Sequence, residues 1–222
     1  MEIIAHIHTD FTSKFGIPRQ SGLIEELEAV IVFEEPYRVA EAFRGLEEFS
    51  HVWLLWQFSE AVRDTWSPTV RPPMLGGNTR MGVFATRSPF RPNPIGMSCV
   101  RLEAVEHSPQ YGPVLRVRGA DLMDGTPIYD IKPYLRYTDS HPEAVSGFAD
   151  RVTERRLRVE GTQRLEAFPQ EKREALLRVL ASDPRPTYQE DPARVYGFGF
   201  AGWEIRFCVE GETLTVLSAQ KE

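Results

Sequence analysis

Three stretches of this chain join residue types that do chemistry to residues that stiffen a backbone. The first is Ser13-Lys14-Phe15-Gly16-Ile17-Pro18-Arg19-Gln20-Ser21-Gly22-Leu23. It holds two glycines and one proline beside the polar hooks Lys14, Arg19 and Gln20, a mixture that a plain connection between strands does not need. The second comprises Val70-Arg71-Pro72-Pro73-Met74-Leu75-Gly76-Gly77-Asn78 and Gly82-Val83-Phe84-Ala85-Thr86-Arg87-Ser88-Pro89-Phe90-Arg91-Pro92-Asn93-Pro94-Ile95-Gly96. Its five prolines fix φ and lower the entropy lost on ordering, so Arg87 and Arg91 are expected to project from a stiff backbone. A stiff loop rich in Arg and Asn is a preorganised binding site; a rigid structural crossover would explain the prolines but not the arginines. The third runs from Gly119 to Tyr134 and carries Asp121, Asp130 and Lys132 on an otherwise strand-like segment. Carboxylates there suit ribose hydroxyls or a ligand ammonium group, although half-exposed strand faces give the same pattern.

Charge sharpens the second stretch. The formal net charge is −6, which argues mildly against nucleic acid as a partner. Yet Ser67 to Leu102 holds no Asp or Glu and five arginines: Arg71, Arg80, Arg87, Arg91 and Arg101. Arginine rather than lysine points to bidentate recognition of phosphate or carboxylate, so we read the window as an anion-facing surface.

Other chemistries are poorly represented. No Gly-x-Gly-x-x-Gly follows a strand, and there is no Walker loop and no Cys-x-x-Cys. His6 and His8 share a strand face but lack a third nearby ligand, so no metal is expected, and His51 reads as a hydrogen-bonded structural histidine. Two cysteines, Cys99 and Cys208, are expected as buried free thiols in a reducing cytoplasm. No apolar run approaches the roughly 20 residues of a membrane span, and the start predicts no signal peptide.

Short strand-like runs must position these loops. They are Ile3–Ile7, Ala29–Phe33, Val52–Phe58, Met81–Thr86, Ser98–Val105, Val114–Arg118 and Ile128–Ile131, with one helix over Tyr37–Phe43. Tyr111-Gly112 and Asp124-Gly125 read as hairpin turns. Such spacing predicts a mainly β protein with a closed or nearly closed antiparallel sheet over residues 1–140. After a polar stretch, residues 141–222 predict a small α+β domain: a strand at Arg155–Glu160, a helix at Glu171–Ala181 with a Leu176, Leu177, Leu180 stripe, and strands at Val195–Phe200, Trp203–Val209 and Thr213–Leu217.

Taken together, Lys14–Gln20, Leu46–His51, Val70–Pro73, Gly82–Gly96 and Asp124–Pro127 resemble the TsaA-like family, as does Asp183-Pro184-Arg185-Pro186-Thr187-Tyr188 in the second part. The family's characterised function is tRNA N6-threonylcarbamoyladenosine methylation. The resemblance implies an antiparallel single-sheet β-barrel, a homodimer, S-adenosylmethionine as methyl donor and tRNA as substrate. Carried over position by position, it implies donor contacts from Pro18, Arg19, Gln20, Ser59, Glu60, Arg87, Met97, Asp121, Leu122, Asp124, Gly125 and Thr126. Substrate contacts are expected from Arg91, Asn93, Arg185 and Tyr188, with an arginine on the threonyl carboxylate; the sequence assigns no general base. The competing reading is a regulatory module that binds S-adenosylmethionine without catalysis, and methyl transfer to isolated tRNA separates the two.

Overall fold

The computed structural model describes residues 1–62, 65–151, 156–185 and 191–222. In the first part the strands are β1 (Ala5–His8), β2 (Glu28–Phe33), β3 (His51–Gln57), β4 (Thr69–Val70), β5 (Met81–Gly82), β6 (Ile95–Ser108), β7 (Gly112–Arg118) and β8 (Thr126–Pro133). Alternation decides their faces. In β3, Val52, Leu54 and Trp56 are buried while His51, Trp53, Leu55 and Gln57 are only partly so. A sheet with one apolar face and two open edges is a liability; here the sheet closes on itself. The order is β1-β2-β7-β6-β3-β8, antiparallel throughout, and β4 and β5 form a separate two-stranded ribbon. The long β6 serves two partners, pairing β3 over Ile95–Arg101 and β7 over Arg101–Ser108, with a register shift between Leu102 and Ala104.

The short helix α1 (Arg136–Asp139) leads into the second part. There β9 (Arg158–Glu160), β10 (Tyr196–Phe200), β11 (Trp203–Glu210) and β12 (Thr213–Lys221) form a sheet in the order β10-β11-β12-β9, and the helix α2 (Gln170–Ala181) packs with them. Helix α2 buries Ala175, Leu176, Val179 and Leu180, whereas Leu177 lies at the margin of the stripe. Spacings of three and four select that face.

Four local expectations change. The segment Tyr37–Phe43 is two 3-10 turns, Glu35–Tyr37 and Ala40–Phe43, separated by Val39 in an extended conformation. Arg38 turns its Nε onto the Phe33 carbonyl at 2.8 Å, and Phe43 is the one buried residue in the two turns, so no apolar stripe holds a longer helix. Strand β5 stops at Gly82 because the Thr86 backbone N–H and hydroxyl both donate to the Val83 carbonyl, at 3.1 and 2.8 Å, and curl the chain. Asp124-Gly125 is a turn but not a hairpin turn: β8, which follows it, pairs with β1 and β3. Cys99 and Cys208 are free but only partly buried.

Two apolar cores result. The barrel core holds Ile7, Ile31, Leu54, Leu115 and Ile128. The second core is not confined to the second part: Phe11, Ile24 and Leu27, from the connection between β1 and β2, are buried in it with Phe200, Phe207 and Leu176. Phe11 bridges Phe200 in backbone pairing, and their rings meet edge to face at 5.1 Å. Gly16 crosses the same sheet at φ +95°, where a Cβ would come within 2.7 Å of Phe198.

Phe11 thus ties the two parts together. Phe11→Ala is expected to lower the unfolding free energy by about 3–5 kcal/mol, the range for an emptied aromatic core site. Urea denaturation measures it, and a loss below about 1 kcal/mol would contradict the role given to this ring.

Candidate active site

Strand register builds the floor of a cavity at one end of the barrel. Trp56, the last inward residue of β3, lies opposite Gly96 of β6. A Cβ on Gly96 would sit 2.2 Å from the Trp56 ring, so only glycine lets the indole lie against this backbone. Two residues on, Ser98 is fully buried. Its hydroxyl accepts from Trp56 Nε1 at 2.9 Å and donates to Asp121 Oδ1 at 2.6 Å. Asp121 comes from the loop before β8. Burial pushes its carboxyl above the usual carboxylate range, and the Ser98 hydroxyl, the backbone N–H groups of Asp121 and Ser21, and the charge of Arg87 oppose the rise.

Two loops form the walls. The loop through Pro18-Arg19-Gln20 faces the proline-rich loop, and Arg87 Nη1 donates to Gln20 Oε1 across the gap. Lys14 pairs with Glu60 at 3.2 Å, linking the first loop to the turn after β3. Arg91 donates to the Thr86 and Val83 carbonyls at 2.6 and 3.2 Å and lies over the Phe84 ring at 5.7 Å. It therefore folds back on its own loop instead of projecting freely, while still lining the cavity. The volume is about 770 Å³, with Trp56, Phe58, Phe90 and Leu122 as apolar surface. That is the size and character of a site for one nucleoside-sized ligand.

Most of the sequence-derived candidates meet here. Pro18, Arg19, Gln20, Ser59, Glu60, Arg87, Met97, Asp121, Leu122, Thr126 and Arg91 all line this cavity. Asp124 and Gly125 do not. Asp124 instead accepts from the Thr9 N–H at 3.1 Å and lies 3.2 Å from His8 Nδ1, and the Gly125 N–H donates to the Ile7 carbonyl at 2.8 Å. Both hold the turn onto β1. Asn93 is exposed and outside the lining. Arg185 is also elsewhere: it is buried, and its Nε and Nη2 grip the Asp183 carboxylate at 2.8 and 2.9 Å. Asp183 has φ 54°, the left-handed conformation that turns the chain at the end of α2. Tyr188 lies outside the described residues. Within the arginine window, Arg71 and Arg80 are exposed, whereas Arg101 pairs with Glu103 at 2.8 Å. Among the described residues no group of three or more His, Cys, Asp or Glu is placed to hold a metal, and no helix is long and apolar enough to cross a membrane.

Sequence reasoning missed Trp56, Gly96 and Ser98. A signal was present: with β6 begun at Ile95, the inward positions read Gly96, Ser98, Val100 and Leu102, a glycine and a hydroxyl where apolar residues belong.

Comparison with known proteins gives the same picture from another direction. A family model described as the tRNA-methyltransferase O N-terminal domain matches residues 6–140, and one described as the TrmO C-terminal domain matches residues 154–222. The chain is 43% identical over 218 residues to the tRNA (adenine(37)-N6)-methyltransferase of Escherichia coli, covering 94% of this chain and 92% of that one. It is 43% identical over 205 residues to a Pseudomonas aeruginosa protein named as an S-adenosylmethionine-dependent methyltransferase, covering 87% and 85%. A crystal structure of TrmO from Pseudomonas aeruginosa matches with a TM-score of 0.78 and 34% identity over 99% of this chain and 95% of that one. With both parts matched in order and the barrel shared, this chain belongs to the tRNA-methyltransferase O family.

Proposed function

We propose that this protein transfers the methyl group of S-adenosylmethionine to N6 of a threonylcarbamoylated adenosine beside the anticodon of tRNA. The observation that carries this reading is the composition of the cavity. It brings together Arg19 and Arg87, the carboxylates Asp121 and Glu60, and the aromatic surface of Trp56, Phe58 and Phe90. Such a site suits a ligand that carries a carboxylate, a cationic centre and a flat base. When bound, S-adenosylmethionine supplies an activated methyl group. The relatives' names support the same donor and the same kind of acceptor.

The tasks left to the protein are binding and alignment. Arg19 and Arg87 take the donor carboxylate, with Gln20 holding Arg87 in place. Pro18, Ser59, Met97, Leu122 and Thr126 shape the walls of the same pocket. Trp56 and Phe58, whose ring centroids are 4.3 Å apart, form the apolar side. Arg91 lies at the proline-rich wall and would take the threonyl carboxylate. The family resemblance further implies a homodimer, and action on tRNA is compatible with a cytoplasmic protein.

Donor binding is expected to persist in a chelator. Arg19→Ala or Arg87→Ala should weaken it by roughly one to two decades, the worth of a hydrogen bond to a charged group, without loss of fold. Calorimetry measures both effects; unchanged affinity in both variants would move the donor elsewhere.

An acidic chain with a local arginine window should neutralise few phosphates. The slope of log K for tRNA against log salt is therefore expected to be shallow, and methyl transfer should require the prior threonylcarbamoyl group. Salt titration and a comparison of modified with unmodified tRNA test this. Equal methylation of both tRNAs would refute recognition of the threonyl carboxylate.

A further inference from the structure

Methylating an N–H nitrogen releases a proton, and the urea-like N6 of a threonylcarbamoylated base holds its proton more weakly as the new bond forms. The site must offer an acceptor at that moment. Among the described residues lining the cavity there is no histidine, cysteine or tyrosine, and the carboxylates are Glu60 and Asp121. They differ sharply. Glu60 is half-exposed and its carboxylate is already engaged by Lys14 at 3.2 Å. Asp121 is partly buried, and desolvation pushes its carboxyl up, which strengthens it as a base. It is also the carboxylate that the barrel goes out of its way to orient, through fully buried Ser98 and the Trp56 indole behind it.

We propose that Asp121 accepts the N6 proton during methyl transfer, and that Ser98, fixed by Trp56, is the residue that positions the Asp121 carboxylate. The proposal rests on the methyltransferase reading above. The step balances without further reactants. The N6 lone pair forms the bond to the methyl carbon, the C–S bonding pair returns to sulfur to give a thioether, and the N6 proton passes to Asp121. The carboxylic acid then returns its proton to solvent. A carboxylate suffices because N6 becomes strongly acidic as it acquires its third carbon substituent. Ser98 spends its proton on Oδ1 and so fixes the plane and rotamer of the carboxyl group. Trp56 Nε1 donates to the Ser98 oxygen, which favours the Ser98 hydrogen pointing to Asp121.

The pH dependence follows in sign. Asp121 faces the Ser98 hydroxyl from β6 and Arg87 from the proline-rich loop, and both favour its charged form. Lys14, Arg19, Arg91 and Glu60 share the cavity. Removing the Ser98 hydroxyl removes a bond to the ionised state. The carboxyl then keeps its proton to higher pH, and activity on the acid side falls away earlier.

The test is single-turnover methyl transfer with the full-length protein, at saturating S-adenosylmethionine and saturating modified tRNA, as a function of pH. Donor affinity is measured separately for each variant to set saturation, and circular dichroism checks the fold. Asp121→Asn is expected to lose roughly 100-fold or more in rate at saturation. Ser98→Ala should move the acid limb of the profile upward by about one pH unit. Trp56→Phe, which keeps a ring but removes the donor, should move it less and in the same direction, and it carries the test if Ser98→Ala does not fold. A rate within threefold of wild type for Asp121→Asn would overturn the proton-acceptor role. Slower transfer with an unmoved acid limb in both Ser98→Ala and Trp56→Phe would overturn the positioning role. No methyl transfer by the wild-type protein would sink the methyltransferase reading itself, and the proposal with it.

Discussion

A carboxylate partly withdrawn from water at the end of a barrel must be met by donors, because desolvating a charge without partners is costly. Asp121 is that carboxylate, and the Ser98 hydroxyl is its side-chain donor. Much of the architecture follows from placing the pair. Ser98 reaches Asp121 only because β6 turns Gly96, Ser98 and Val100 inward and Met97 outward. A slip of one residue would exchange these faces. Closure of the barrel fixes the register, and Trp56 opposite Gly96 pins it at the site itself, where no other side chain would fit beneath the indole.

The second part of the chain serves the cavity indirectly. Phe11, Ile24 and Leu27 are buried in its core, with Phe15 and Ile17 packed against it. Between these anchors run Pro18, Arg19 and Gln20, which line the cavity. The loop is thus held by its ends in one core while its middle faces the barrel. Arg87 completes the arrangement by reaching Gln20 from the proline-rich loop. Preorganisation of this kind lowers the entropy lost when a ligand is bound.

Much of this was legible in the sequence, for identifiable reasons. Strand alternation is a strong signal, so β2, β3, β7 and the three C-terminal strands β10, β11 and β12 were read closely. Pro18–Gln20 and Arg87 stood out because stiff loops rarely carry such side chains without use. The side-chain contacts, near or far along the chain, were not legible. Arg185 is expected from the sequence to touch substrate, yet its fork closes on Asp183, two positions away. Arg91 looks free until its guanidinium is found closing its own loop. Ser98 looks like the edge of a strand, and only the register with Trp56 and the approach of Asp121 give it a task.

The central claim is methylation of a threonylcarbamoylated adenosine in tRNA, and nucleoside mass spectrometry of total tRNA addresses it most directly. Cells lacking the gene are compared with the same cells supplied with it. The account predicts N6-methylated threonylcarbamoyladenosine only where the gene is present, with its unmethylated precursor accumulating in its absence. Identical nucleoside profiles in the two would contradict it.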